Sequence, residues 1–429
     1  MVNERLETFR TAYRNLDLLP LIEATELAKF RVPYGEDVLA ELEQLVEDRD
    51  DQAAKIIFAG HRGCGKSTLL ATFGRQLKEL GYFTVFFSIS DTIEMSDVNH
   101  VMILFAISVN LMYQADMEEV KLPQSTRDAI DKWFATKTRT ETEGSSAEAS
   151  GGFNLFEIIQ GKLKSEASIR TELKQQFERN IRDLVAQINI IAAAIQGATD
   201  RTVIVIIDDL DKLDLADVEE IYRSHIKALF LPGIPIIFTT PIASLRDNVL
   251  RATMVTETNN QIVTMPVSKI FAKGDRRQEN PQPMEANFKA LCEVLDKRMS
   301  GDVITSDAAE MLVRYSGGVL RELVRLGNVC CRICLRQIRR EPERQDLKID
   351  HGILMQAVKD LRLDFEAPLG KADYETLKVT YKKFKPEDPK AQDFLNLLHG
   401  LHILEYKNDE IWYDVHPIVE DLLKLKEIV

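Results

Sequence analysis

Residues 60–67 of this chain, Gly-His-Arg-Gly-Cys-Gly-Lys-Ser, match the phosphate-binding pattern G-x-x-x-x-G-K-[ST]. The apolar segment 55–59 before the motif predicts a strand, and leucines at helical spacing after it predict a helix. Glycines let successive N–H groups point at phosphates, Lys66 adds positive charge near the β- and γ-phosphates, and Ser67 offers a hydroxyl to Mg²⁺. The motif predicts a nucleoside triphosphate site that comprises Gly60, Arg62, Gly63, Cys64, Gly65, Lys66, Ser67 and Thr68.

A second motif supplies carboxylates. Val203 to Ile207 is a continuous apolar run, typical of a buried strand, and Asp208 and Asp209 follow it directly. At the C-terminal edge of a parallel sheet, such carboxylates can position Mg²⁺ and the attacking water. We assign the metal's water shell to Asp208, together with the Ser67 hydroxyl, and polarisation of the water to Asp209. The two motifs together predict ATP hydrolysis with Mg²⁺. ATP is favoured over GTP because the sequence has no Asn-Lys-x-Asp guanine clamp.

The order of apolar segments predicts an α/β fold, a P-loop NTPase core with a parallel five-stranded sheet, followed by a helical lid and a winged-helix domain. The predicted strands are 55–59, 83–88, 203–207, 234–239 and 261–267. We place an N-terminal helical segment at 1–30, the ATPase core at 31–270, the lid at 285–345 and the winged helix at 346–429.

More than a hundred residues separate the second strand from the third, far more than one crossover helix needs. This insertion, at about 91–200, is predicted to contain a helix at 97–112, a mobile polar stretch at 136–152, a hairpin at 153–167 and one long helix at 168–198. Apolar spacing also predicts one N-terminal helix over residues 4–27.

The charge balance limits the partners. A formal charge of −13 argues against non-specific binding to nucleic acid or anionic membranes and favours protein partners, although a local basic patch stays open. Residues 1–10 lack the apolar core of a signal peptide, and the most apolar run, 101–113, is shorter than the ~20 residues that span a bilayer. We therefore expect a cytoplasmic protein without membrane association.

The motifs taken together resemble the AAA+/STAND class of P-loop ATPases, including its origin-recognition-like and NB-ARC-like members. Besides the two motifs above, the resemblance rests on a strand that ends in threonines, 236–240, on Gly318-Val319-Leu320-Arg321, and on C-terminal helices followed by a hairpin. Residues 207–213 also resemble the acidic motif of KAP-type ATPases, which usually carry membrane helices that this sequence lacks.

The resemblance implies further nucleotide contacts, each with a structural alternative. Arg321 resembles the second sensor that reaches the γ-phosphate, and the alternative is an arginine on a helix surface. Val32-Pro33-Tyr34 resembles the linker that packs on adenine, and interdomain packing is the alternative. His416 resembles a winged-helix histidine that senses ADP, although Pro417 stands where the family usually has an acidic residue. For His416 the alternative is a role in folding alone.

The end of the fourth predicted strand and the residues after it supply further predicted site residues. Thr240 ends this strand, where its hydroxyl could bond the γ-phosphate or the attacking water, with ordinary strand capping as the alternative. Arg251, or Arg246, resembles an arginine finger that acts on a neighbouring subunit. A structural surface arginine is the alternative for both.

These residues favour an ATP-hydrolysing switch that acts on a separate effector or sensor protein as a homo-oligomer, and the class suggests bacterial anti-phage defence or control of mobile elements. The alternative is a DNA-binding AAA+ ATPase of the replication-initiator or transposition-regulator type. Its support is the predicted winged helix with two basic clusters, residues 336–344 and 378–385. A binding module with an inactive ATPase site is a third reading, against which the intact Lys66, Ser67, Asp208 and Asp209 argue.

Overall fold

The computed structural model of the protein describes residues 4–47, 53–140, 155–344, 346–407 and 410–429. The chain forms two compact units. The first comprises residues 1–36, 60–69 and 264–429, and the second comprises residues 37–59 and 70–263. The phosphate loop, predicted within the ATPase core, thus belongs to the unit that contains the C-terminal helices.

A five-stranded sheet confirms the predicted α/β class. Its strands are β1 Lys55–Gly60, β2 Phe83–Ser88, β3 Val203–Asp208, β4 Ile236–Pro241 and β5 Ile262–Met265. They lie in the order β2-β3-β4-β1-β5, and β3 pairs in parallel with both β2 and β4. Every residue of β1, β3 and β4 is buried, which explains why apolar residues predominate in these strands. The register places Ser88 beside Asp208.

The helices are numbered in chain order. In the first half of the chain they are α1 Glu4–Asn15, α2 Ala24–Phe30, α3 Glu36–Glu47, α4 Lys66–Glu79, α5 Ile89–Thr92, α6 His100–Met117, α7 Gln124–Thr138, α8 Leu155–Ser165, α9 Ala167–Arg179, α10 Ile181–Thr199, α11 Leu215–Glu219, α12 Ile226–Leu229 and α13 Asn248–Glu257. The second half contains α14 Glu285–Asp296, α15 Ser306–Tyr315, α16 Leu320–Arg340, α17 His351–Glu366, α18 Lys371–Lys383, α19 Gln392–His399 and α20 Pro417–Leu425.

Within the described residues, every secondary-structure element of the insertion between β2 and β3 is a helix, so the predicted hairpin at 153–167 is wrong. Phe156, Ile159 and Leu163 are buried at helical spacing in α8, and Gly161 lies inside the same helix. The long helix predicted at 168–198 is divided at Asn180, whose φ of −144° is not helical. Most of the polar stretch predicted to be mobile, residues 141–152, lies outside the described residues.

The N-terminal prediction of one helix over 4–27 is also wrong, because α1 ends at Asn15 and α2 begins only at Ala24. Helix α1 packs on α16, where the Leu16 side chain meets Gly327. A side chain at Gly327 would have its Cβ 3.3 Å from the Leu16 methyl groups, so the glycine permits close packing. Among the described helices, none combines the length and apolar character needed to cross a membrane.

The C-terminal residues have the element order that the winged-helix prediction requires. After α18 and α19, strands β6 Ile403–Lys407 and β7 Ile411–Val415 pair antiparallel, and α20 follows. The hairpin side chains Leu404, Tyr406 and Trp412 form an apolar cluster with Val267 and Val319. This cluster joins the hairpin to the residue that precedes α16.

Candidate nucleotide-binding site

The phosphate loop has the backbone geometry that its glycines allow. Gly63 and Gly65 adopt φ values of +78° and +99°, which residues with a side chain rarely adopt. Helix α4 begins directly after them at Lys66, and the N–H of Leu69 donates to Gly65 O. The buried Lys66 ammonium donates to Gly60 O at 3.1 Å and His61 O at 2.7 Å. The lysine therefore lies within the loop, and its role as a phosphate ligand stays a prediction.

The start of α16 lies against this loop. The backbone N–H of Arg321 donates to Gly63 O at 3.0 Å, and its side chain runs past the same glycine. A Cβ on Gly63 would lie 2.4 Å from the Arg321 Cβ, and one on Gly65 would lie 2.9 Å from the Leu320 Cδ1. Both distances are too short for a side chain, so the loop glycines serve this contact too. The predicted second sensor is thus brought to the phosphate loop.

Tyr34, from the predicted adenine linker, also reaches the loop. Its hydroxyl donates to Pro266 O at 2.9 Å, and its ring lies 3.8 Å from the Cβ position of Gly65. Burial and the nearby Cys64 raise the pKa of the tyrosine. Val32 is buried and Pro33 is exposed. At the other end of the motif, Thr68 Oγ1 accepts the Leu21 N–H at 3.1 Å.

The structure adds a contact that the sequence analysis missed. His61, the second residue of the loop motif, is buried, and its Nε2 accepts the backbone N–H of Glu405 in β6 at 2.9 Å. Because Nε2 accepts here, the neutral imidazole carries its proton on Nδ1. The partners are 344 residues apart in the sequence. No local pattern could have indicated this pair, although a histidine inside a phosphate loop is a polar side chain in need of a partner.

The acidic motif forms a carboxylate cluster in the second unit. Asp208, Asp209 and Asp211 are buried, and one oxygen from each lies within 4.8 Å of the others. Oxygen ligands of this kind suit Mg²⁺, which prefers one or two carboxylates together with water. Asp211 is an addition to the predicted metal ligands Asp208 and Ser67. The donor set is compatible with the predicted Mg²⁺.

Asp209 is held by three side chains. Ser88 and Ser90 donate to its Oδ2 at 2.7 and 2.8 Å, and the Lys212 ammonium lies 2.7 Å from its Oδ1. Burial acts to raise the pKa of Asp209, but Lys212 and the serine hydroxyls outweigh burial and lower it. The carboxylate is therefore ionised at neutral pH. The left-handed φ of 69° at Asp209 contributes to this placement, which the sequence did not reveal.

Near Asp209, the Thr239 side chain connects β4 by hydrogen bonds to the end of β3 and to the turn that follows it. Its hydroxyl accepts the Leu210 N–H at 3.0 Å and lies 3.2 Å from Ile207 O, to which it donates. Thr240 shares a hydrogen bond of 3.1 Å with Ser244. Arg251 is exposed on α13 and Arg246 is half-buried before it. The roles of Thr240 and the two arginines at the γ-phosphate stay predictions.

His416 lies in the interior of the C-terminal helices and hairpin. It is fully buried, its ring stacks on Phe365 with centroids 4.7 Å apart, and its Nδ1 accepts the Ile418 N–H at 3.3 Å as the N-cap of α20. Burial, together with Arg276, lowers its pKa well below the usual value, so the imidazole is neutral. These contacts suit a folding role, and the predicted contact with ADP stays a prediction.

Comparison with known proteins identifies the family of the nucleotide-binding segment. Residues 31–223 match the AAA ATPase domain family. Among solved structures, the Cdc6p protein of Pyrobaculum aerophilum is similar over 95% of this chain and 97% of its own, with 11% identity and a TM-score of 0.41. The Orc1 protein of Aeropyrum pernix, solved in complex with DNA, is similar over 96% of this chain and 97% of its own, with 11% identity and a TM-score of 0.40. A RuvB variant from Thermotoga maritima is similar over 96% of this chain and 99% of its own, with 13% identity and a TM-score of 0.36. No curated protein sequence matches this chain.

Proposed function

This chain is an AAA+ P-loop ATPase, and on that premise we propose that ATP acts on it as a conformational switch. The moving part would be residues 285–429, which we call the C-terminal module. The observation that carries the proposal is a pair of hydrogen bonds that backbone N–H groups of this module donate to the phosphate loop, Arg321 N–H to Gly63 O and Glu405 N–H to His61 Nε2. A ligand that reorganises the loop must change the free energy of both contacts.

The chemistry proposed at the site divides among the predicted residues. Loop N–H groups and Lys66 would hold the triphosphate, and Arg321 would reach the γ-phosphate from its place beside Gly63. Ser67, Asp208 and Asp211 would hold Mg²⁺, which when bound offsets the charge that develops on the phosphates. Asp209, kept ionised by Lys212 and two serines, would polarise the attacking water.

We expect ATP to open the two contacts, and hydrogen exchange measured on peptides can report each of them. With a non-hydrolysable ATP analogue, amide exchange should accelerate in the peptides that contain Arg321 and Glu405, because each N–H loses its acceptor. The N–H of Tyr413, which donates to Phe384 O at 3.0 Å, is the matched control in the same hairpin. Its exchange should not change.

Two outcomes would contradict the switch. Exchange at Arg321 and Glu405 that stays the same with the analogue would show that the loop contacts survive nucleotide binding. Equal acceleration at Tyr413 would indicate unfolding of the hairpin rather than release from the loop. The same measurement on His61→Phe without nucleotide should show faster exchange at Glu405, since phenylalanine offers no acceptor for its N–H.

The proposal includes a nucleotide-dependent homo-oligomer, in which Arg251 or Arg246 reaches the γ-phosphate bound to a neighbouring subunit. Multi-angle light scattering at micromolar protein should show a larger assembly with the ATP analogue than without nucleotide, and Arg251→Ala should lower the ATPase rate within the assembly. A monomer under both conditions would remove this part of the proposal. A separate effector or sensor protein, and a role in defence, stay predictions.

A DNA-binding AAA+ ATPase is the second candidate function, and the exposed arginines of α16 favour it. Arg332, Arg336, Arg339 and Arg340 stand on this helix at the surface of a chain whose formal charge is −13. Both candidates are compatible, because a switch can act on DNA as its partner. The position of these arginines also indicates which surface of the chain would bind DNA.

A further inference from the structure

Four exposed arginines form one face of α16. Arg332, Arg336, Arg339 and Arg340 occupy positions i, i+4, i+7 and i+8, which lie on one side of a helix. They extend over about 12 Å of helix axis. We call these four residues the arginine face. The opposite side of the same segment is buried and consists of cysteines and aliphatic residues, so the helix cannot rotate these arginines away from the surface.

The charge of the arginine face is not neutralised within the described part of the chain. No acidic side chain there forms an ion pair with any of its four arginines, and α16 has no acidic residue after Glu322. Arg325, nearer the start of the helix, behaves differently because it pairs with both Glu322 and Asp364. Four like charges at helical spacing repel one another. The dipole of α16 favours cations only in its last turn, at Arg339 and Arg340. It does not explain why arginines also stand at 332 and 336.

We infer that the arginine face binds the phosphate backbone of duplex DNA. This inference rests on the DNA-binding candidate of the proposed function and names the surface that would carry it. Guanidinium groups bind phosphate oxygens in pairs of hydrogen bonds, and a rigid helix presents them in a fixed line. Helix α16 contains no aromatic residue on which single-stranded bases could stack, which favours a duplex over a single strand. The face therefore fits the backbone of a DNA duplex.

The predicted winged helix offers a poorer surface for phosphates. In a helix-turn-helix arrangement the second helix enters the major groove, and α19, which precedes the hairpin, is the helix in that place. Its exposed residues are Gln392, Asp393 and Asn396, and its one basic side chain is the half-buried His399, so α19 presents a carboxylate and neither arginine nor lysine. The exposed Lys382 and Lys383 on α18 are the rival basic surface.

The same helix links the arginine face to the nucleotide site. Its first turn, at Arg321, lies against Gly63 of the phosphate loop, and Arg332 follows 11 residues later, about 16 Å along the axis. Because the helix between them is continuous, a displacement of its start moves the arginines as well. DNA binding at this face would therefore depend on the nucleotide, and nucleotide binding on DNA.

The test compares two charge-matched double variants, R332Q/R336Q and K382Q/K383Q. Fluorescence anisotropy with a labelled 30-base-pair duplex and the ATP analogue gives the affinity at several salt concentrations. We expect R332Q/R336Q to bind ~10-fold or more weakly at 0.1 M salt, and the slope of log K against log salt to decrease in magnitude by about 2. K382Q/K383Q should bind like the unsubstituted protein. Melting temperature and DNA-free ATPase rate should be the same in all three proteins.

Each other outcome has a definite meaning. If the unsubstituted protein does not bind the duplex, the DNA-binding function itself is wrong, and an acidic protein partner becomes the next candidate for the face. If the unsubstituted protein and R332Q/R336Q bind the duplex equally well, the DNA-binding function stands but the arginine face is not the surface that binds. Weaker binding by K382Q/K383Q would then assign the DNA to α18. Tighter binding to a single strand, or to the RNA duplex of the same sequence, would overturn the assignment to duplex DNA.

Discussion

The Lys66→Ala variant is expected to bind ATP with an affinity that is lower by ~10²-fold or more. The ammonium now donates to Gly60 O and His61 O, and it would transfer these bonds to the β- and γ-phosphates. A hydrogen bond that involves a charged group contributes roughly 1.5–3 kcal/mol, so the loss of one or two such bonds gives an effect of this size. Isothermal titration calorimetry with a non-hydrolysable analogue and Mg²⁺ measures it.

Lys78→Ala is the matched control for this measurement, because Lys78 lies on the same helix and carries the same charge. Its side chain is half-exposed and pairs with Glu118, so its removal should not affect the nucleotide. An affinity of Lys66→Ala within threefold of the unsubstituted protein would rule out the phosphate role of Lys66. Melting without nucleotide checks that the variant is folded.

For Asp209→Asn we expect normal ATP binding and hydrolysis slowed ~10²-fold or more, as is typical when a group that polarises water is removed. The amide keeps the size of the side chain and can still contact Ser88, Ser90 and Lys212. It lacks the negative charge that these neighbours hold in place. Phosphate release at saturating ATP gives the rate, and analogue binding gives the affinity.

Asp214→Asn, an exposed carboxylate a few residues further along the chain, is the control for a nearby change of charge. It should hydrolyse ATP at the normal rate. Hydrolysis by Asp209→Asn at a similar rate would assign the water to another residue. A large loss of affinity in Asp209→Asn would instead place Asp209 among the metal ligands.

The strands of the sheet were predictable because each is a buried apolar run between turn residues, and only their ends moved by a few residues. The predicted strand at 234–239, for example, is observed at Ile236–Pro241. The insertion was harder to predict from local pattern. Short apolar segments such as 155–165 fit either a helix or a strand, and here the packing of Phe156, Ile159 and Leu163 decides for the helix.

The site shows the same division between local and distant information. The phosphate loop and the acidic strand are contiguous motifs whose chemistry follows from neighbouring residues. The bonds that hold them join distant parts of the chain, Ser88 with Asp209 across 121 residues and His61 with Glu405 across 344. Which polar group meets which at such separations depends on the tertiary fold, and a single sequence carries no signal for it.

Helix α16 begins without a capping side chain, since its N-cap residue is Val319. The first N–H groups of a helix have no partner within it, and the carbonyl of Gly63 accepts that of Arg321. The phosphate loop thus acts as the N-cap of a helix that is distant in the sequence. Loss of an N-cap costs about 1 kcal/mol, or roughly a fivefold change in an equilibrium constant. A nucleotide that pulled Gly63 away would thus supply a coupling free energy at the lower end of the allosteric range of about 1–3 kcal/mol.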